Sequence, residues 1–232
     1  DAFRPLVESS VKNNVKKFIY ASSSSVYGIK NEKDVNETMS LEPLTDYSKF
    51  KADCESILLE YQSSKFIPTV IRPATVCGYA PRQRLDVVVN ILTNLAYHKR
   101  IIKILGGAQL RPNIHIHDMI RSYEAVIESI DAKVDGQIFN VGYDNKSVSE
   151  IGNIVKKEIG DDVILKTEKT NDNRSYHISS EKIKKKLGFM PIKNISDAVK
   201  DLKEAFNNKK LIEPLSNEFY FNIKRMNSIN LK

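Results

Sequence analysis

An α/β fold built on a parallel, doubly wound sheet is predicted by three observations on this 232-residue chain. The apolar run Phe18 to Ser22 is short and does not alternate, as in strands buried on both faces of a parallel sheet. Tyr47 to about Gln62 has the helical period, with Phe50, Cys54, Ile57 and Leu58 on one side. A second apolar stretch, Phe66 to Val76, completes a strand–helix–strand unit. The predicted architecture is the C-terminal part of such a sheet plus a smaller α/β lobe.

Residues 3 to 14 read as the end of a helix. Gly28 to Leu44 is polar and carries Pro43, a loop by composition. Thr45 or Asp46 stands where an N-cap is needed for the next helix. Pro68 and Pro73 are expected to interrupt the second strand region. After Gly78 the character changes, and Pro81, Arg82 and Arg84 lead into a helix over Asp86 to His98. Ile101 to Leu105 and Asn113 to Ile116 read as strands, Asp118 to Ile130 as a helix, and Gln137 to Val141 as a strand. Ser147 or Ser149 caps a helix reaching about Ile159, and Val163 to Thr167 is a strand. Short helices are expected near 180 to 187 and 195 to 207. From Lys209 onward no clear period is present, and no internal repeat is visible.

The net charge of +7 raises the question of nucleic acid. The lysines are interspersed with carboxylates and lack interleaved aromatics, which argues against such a partner. The densest run, Lys182 to Lys186, reads as a solvated helix face. No apolar run approaches membrane-spanning length and no signal-peptide pattern is seen, so a cytoplasmic setting without membrane contact is expected. Cys54 and Cys77 lack metal-site spacing and read as reduced thiols. His115 and His117 flank Ile116, so strand alternation places both on one face. With no acidic or cysteine partner at metal spacing, they read as structural, and no metal is expected.

The chemistry-bearing cluster lies at the end of the first strand. Tyr47 and Lys51 are one helical turn apart and share a helix face. A nearby ammonium favours the phenolate and draws a tyrosine toward working pH. Ser23, just past the strand, is placed to hydrogen-bond the same substrate oxygen. Hydroxyl, phenol and ammonium together fit a hydride-transfer site. Tyr61–Lys65 and Tyr220–Lys224 repeat the spacing, but neither has a strand and serine run upstream.

The segments FIYASSSSVYG, DYSKFKAD, IRPATVCGYAP, GGAQLRPNIHIHD and FNVG resemble, in order, the motifs of the extended short-chain dehydrogenase/reductase family of NAD-dependent sugar-nucleotide epimerases and dehydratases. The resemblance runs to about residue 206. It implies Ser23, Tyr47 and Lys51 as catalytic residues, with Lys51 also holding the ribose of NAD. It implies a nucleotide-diphosphate sugar as substrate, and a homodimer when full length. Arg111 of RPNIH corresponds to a diphosphate-binding arginine, although Pro112 replaces the usual aspartate. Arg174 resembles a second phosphate or ribose contact. Ser24 and Thr75 fall at substrate-facing positions, although many relatives have asparagine where Thr75 stands. Pro73 either backs the nicotinamide ring or simply ends its strand. Arg82 and Arg84 are read as solvated.

The family's glycine-rich pyrophosphate turn is not found here, since no G-x-x-G-x-x-G occurs and Gly28 is the first glycine. On this resemblance, residues 1–79 are the remaining half of the NAD-binding Rossmann domain, 80–208 mainly the substrate lobe, and 209–232 a tail. Roughly the first hundred residues of such a domain are expected to be absent, so the chain is read as a fragment. Dehydrating relatives carry Asp-Glu after the active hydroxyl residue, whereas Ser24 and Ser25 stand here. That favours a 4-epimerase or 4-dehydrogenase over a 4,6-dehydratase. A member that binds nucleotide without turnover, or an inactive fragment, is the alternative.

Overall fold

The structure, a computed structural model, describes residues 2–30, 32–170, 175 and 177–230. The chain begins with α1 (Phe3–Lys12), β1 (Lys17–Ala21), a 3-10 turn over Ser24–Tyr27, α2 (Asp46–Leu59), β2 (Ile67–Pro73) and β3 (Thr75–Cys77). Next come α3 (Val88–Lys99), β4 (Ile101–Leu105), β5 (Leu110–His115), α4 (Ile116–Glu128) and α5 (Asp131–Val134). β6 (Gln137–Val141), β7 (Asp144–Ser147), α6 (Val148–Ile159) and β8 (Ile164–Glu168) follow. The described elements end with α7 (Glu181–Leu187), α8 (Ile195–Asn207) and α9 (Asn222–Ser228).

These elements gather into two compact units that interleave along the sequence. Residues 1–74, 118–143 and 174–191 make the first, and 75–117, 144–173 and 192–232 the second. A single boundary after residue 79 does not describe this arrangement. The reason is strand pairing: β2 lies between β1 and β6, parallel to both, with Thr69 to Pro73 in register with Gln137 to Val141. The chain must therefore leave the first unit and return to it.

In the first unit, β2 is buried from Ile67 to Arg72, as a central strand should be. Pro68 sits inside β2 without ending it, and the break falls at Ala74. Val7, Leu58, Phe66 and Val70 form the apolar core, with Phe3, Phe18 and Tyr20 packed against it. Thr45 caps α2 through a reciprocal pair of bonds with Ser48, which satisfies otherwise orphaned N–H groups.

A buried polar chain runs through the same unit. Arg72 and Glu55 are each 3% exposed and pair at 2.6 Å, with Arg72 Nε donating to both carboxylate oxygens. The Ser22 hydroxyl donates to Glu55. Arg72 Nη1 donates to Tyr27 Oη at 2.8 Å, and that hydroxyl donates to Asn140 Oδ1 at 2.7 Å. Asn140 Nδ2 donates to Val35 O, and its N–H donates to Glu37. The chain thus joins β1, α2, β2, the serine turn and β6.

The second unit pairs β5 with β3 in parallel and with β7 antiparallel, while β4 and β8 form a separate parallel pair. Its core includes Val89, Leu92, Ile102, Ile151, Val155, Ala198 and Val199, drawn from α3, α6, α8 and β4. The segment after residue 208 is anchored although it lacks a period. Leu211 is buried with Leu85, Leu202 and Phe206, and Leu85 N–H donates to Tyr220 O at 2.8 Å. Single anchor residues in irregular turns leave no repeating pattern to read.

Removing one member of the Arg72–Glu55 pair leaves the other charge buried and unpaired. Arg72→Ala is expected to cost about 3–5 kcal/mol in urea unfolding, and Arg72→Met combined with Glu55→Leu considerably less. A cost below about 0.5 kcal/mol for Arg72→Ala would show that the pair does not organise the unit.

Candidate active site

The site is built at the carboxyl end of β1, where the strand gives way to serines. Ser22 is buried and committed to Glu55. Ser23 has extended backbone and caps the 3-10 turn, its Oγ accepting from Ser25 N–H at 3.1 Å and lying 2.8 Å from Ser25 Oγ. Ser24 is buried inside the turn. Gly28 ends it at φ +73°, where a Cβ would lie 2.1 Å from Glu42 O, so an L side chain there would force the loop apart.

Tyr47 occupies the first turn of α2 and is 59% exposed. Lys51, one turn later, donates from Nζ to Ala21 O at 2.6 Å, at the end of β1. The same Nζ lies 5.7 Å from the centre of the Tyr47 ring and 5.0 Å from that of Tyr20. Burial pushes the Lys51 pKa below its ordinary value, and the neighbouring Cys54 opposes that shift. Glu55 continues the same helix face one turn further on. Its grip on Arg72 fixes the rotation of α2, and with it the direction in which Tyr47 and Lys51 point.

The structure therefore brings Tyr47 and Lys51 together at the strand end that leads into Ser23. Pro73 ends β2, paired with Val141. Thr75 and Arg111 belong to the second unit. Thr75 is in register with Asn113, and Arg111 Nη1 donates to Leu110 O at 3.0 Å. Arg174 lies outside the described residues. Arg84 pairs with Asp86, and Arg82 reaches Asn222.

The two histidines do not share a strand face. β5 ends at His115 and α4 begins at Ile116, because the His115 ring takes over the turn: its Nδ1 accepts from His117 N–H at 3.1 Å. That acceptance leaves the proton on Nε2, which faces Asp201 Oδ2 at 3.0 Å. Cys54 and Cys77 are free thiols, and burial pushes the Cys77 pKa up. Among the described residues no group of three or more His, Cys, Asp or Glu could hold a metal ion.

Four residues escaped the sequence reading: Tyr27, Glu55, Arg72 and Asn140. Two carried a signal. Arg72 is a lone charge in an apolar strand, and Glu55 stands two turns after Tyr47 on the same face.

The donor set fits the nicotinamide-ribose end of a dinucleotide. Lys51 keeps two N–H groups beyond its bond to Ala21, suited to ribose hydroxyls, and the Tyr47 phenol is open to a ligand.

A model of the NAD dependent epimerase/dehydratase family matches residues 2–142. The uncharacterized UDP-glucose epimerase YtcB of Bacillus subtilis (strain 168) is 35% identical over 143 residues, covering 61% of this chain and 44% of that protein. The dTDP-D-glucose 4,6-dehydratase of Homo sapiens is 28% identical over 225 residues, covering 90% and 62% respectively. The chain thus spans less than two thirds of the length of either relative. UDP-glucuronic acid 4-epimerase from Bacillus cereus, solved with UDP-glucuronic acid and NAD, superposes with a TM-score of 0.79 at 25% identity, covering 89% of this chain and 66% of that one. UDP-glucose 4-epimerase from Thermotoga maritima, solved with UDP-glucose, gives 0.77 at 27% identity, with 89% and 68% covered.

The depressed lysine pKa has a measurable sign. Between that pKa and the ordinary value of 10.5, the folded state binds fewer protons at Lys51 than the unfolded state, so this group makes stability rise with pH there. In 13C-dimethyl-lysine NMR, the resonance missing from Lys51→Arg should titrate below the ordinary lysine value. Titration at or above the ordinary value would refute the burial described.

Proposed function

This chain belongs to the NAD-dependent epimerase/dehydratase family, and on that premise we propose that it carries the catalytic face of an enzyme oxidising or reducing C4 of a nucleotide-diphosphate sugar. The observation that supports this most is the Lys51 ammonium, held at Ala21 O and lying beside the Tyr47 ring. The family uses NAD, which when bound supplies the hydride acceptor and donor. Tyr47 takes the proton from the C4 hydroxyl as a phenolate, and returns it when the ketone is reduced. Lys51 stabilises that phenolate and binds the ribose. Ser23 hydrogen-bonds the same C4 oxygen and orients it.

Ser24 and Ser25 bear on the reaction type. Ser24 is buried and the Ser25 hydroxyl is engaged with Ser23, and neither is a useful acid or base at neutral pH. Epimerisation or dehydrogenation at C4 is therefore favoured over loss of water. The B. cereus and T. maritima proteins are 4-epimerases by name and the human relative is a 4,6-dehydratase, so the reading rests on the two serines.

In the same proposal Pro73 lies against the nicotinamide, while Ser24, Thr75, Arg111 and Arg174 serve the nucleotide sugar. Within this proposal the first unit, which holds Tyr47, Lys51 and Pro73, contributes to dinucleotide binding, and the second, which holds Thr75 and Arg111, mainly to the substrate. Leu6 of α1 and Phe50 of α2 are exposed apolar residues available to a homodimer interface. No helix among the described residues is long and apolar enough to cross a membrane, and the proposed setting is the cytoplasm. The alternative within the same family is nucleotide-sugar binding without turnover.

Assays with UDP- and dTDP-hexoses, scored by mass spectrometry for 4-keto or 4-epimer products, test the proposal. Tyr47→Phe should lower turnover by about 10²–10⁴-fold with little change in sugar-nucleotide binding. Lys51→Met should weaken both turnover and NAD affinity. Undiminished turnover in Tyr47→Phe would end the mechanism, and binding without any product would favour the alternative.

A further inference from the structure

A cavity of about 530 Å³ opens in the first unit between residues 36–38 and the start of α7, within the size range of small-molecule sites. Its walls are pinned by backbone pairing. Val35 N–H donates to His177 O at 2.9 Å, and Ser179 N–H donates to Val35 O at 2.8 Å. Lys182, Lys185 and Lys186 line one side, facing Asn36, Glu37 and Thr38.

The run read from sequence as a solvated face is only partly so. Lys182 is half-buried, with Nζ 5.4 Å from the centre of the Phe139 ring. Burial pushes its pKa down, against the attraction of Glu37, and the nearby Lys186 and Arg72 push the same way. Lys186 Nζ donates to Gln137 Oε1 at 2.9 Å and keeps two N–H groups. The carboxylates at the cavity are already engaged: Glu37 accepts Asn140 N–H at 2.7 Å, and Glu181 pairs with Lys184 at 3.4 Å. Among the described residues none of Lys182, Lys185 and Lys186 has an ion-pair partner.

We propose that this cavity binds the phosphate group of a small phosphorylated sugar. A dianion between the ammonium groups relieves their mutual repulsion and gains charge-assisted hydrogen bonds. Asn36, Thr38 and Ser179 add neutral polar groups suited to sugar hydroxyls.

Calorimetric titration of the protein with glucose 1-phosphate, inorganic phosphate and glucose tests this. Glucose 1-phosphate should bind saturably, more weakly as salt rises, and about tenfold more weakly in both Lys182→Met and Lys186→Gln, for one charge-assisted hydrogen bond lost. Inorganic phosphate binding equally well would support the phosphate site and remove the sugar contribution. Lys185→Gln, at an exposed position, keeps the test open should Lys182→Met unfold. Lys185→Gln and Lys186→Gln should leave turnover of UDP- and dTDP-hexoses unchanged, which separates failure of this site from failure of the catalytic reading. No binding up to ~10 mM, glucose binding as tightly as its phosphate, or affinity unaltered in all three lysine variants would overturn the proposal.

Discussion

The ion pair between Glu55 and Arg72 is the constraint on which the first unit depends. Two charges out of water carry a desolvation cost that mutual attraction repays only with good geometry and further hydrogen bonds. Both conditions are met. Arg72 spends its guanidinium on both carboxylate oxygens and on Tyr27, and Glu55 also accepts from Ser22. Such a pair contributes less to net stability than to uniqueness, since any other rotation of α2 would strand a charge. Tyr47 and Lys51 inherit their direction from it. Because Tyr27 and Asn140 extend the chain, the serine turn and β6 share the same reference.

Much of this arrangement was legible because local chemistry and long-range packing agree. The run Phe18 to Ser22, the Thr45 cap and the helix bearing Tyr47 all stand close to where hydrophobic period and capping rules put them. β4 and β6 match the expected ranges. The failures share one cause, that specific contacts outside the period and propensity rules decided the outcome. Strand alternation carried past His115 only until its ring accepted the His117 amide and turned the chain into α4. Pro68 reads as a breaker but sits in β2, paired with Phe18, while its own carbonyl accepts Gly136 N–H at 2.9 Å.

The residues proposed for catalysis stand out in the sequence more plainly than the residues that support them. Tyr47, Lys51 and Ser23 carry unusual chemistry at a tell-tale spacing. Glu55 and Asn140 resemble ordinary surface polar residues until the fold buries them. A lone arginine inside an apolar strand was the plainest hint, because a buried guanidinium requires a carboxylate partner somewhere in the chain.

The interleaving of the two units also sets an order of events during synthesis. β2 emerges with β1 to pair against, but its other edge must wait for β6, encoded only after residues 75–117 of a different unit. Until then a strand buried on both sides in the finished protein keeps a row of unmet amide groups. Closing that gap is a slow, non-local step. An unmet strand edge is also the kind of surface that recruits other chains or chaperones. The same residues that give β2 its dry interior therefore make its half-paired state the hazardous stage of folding.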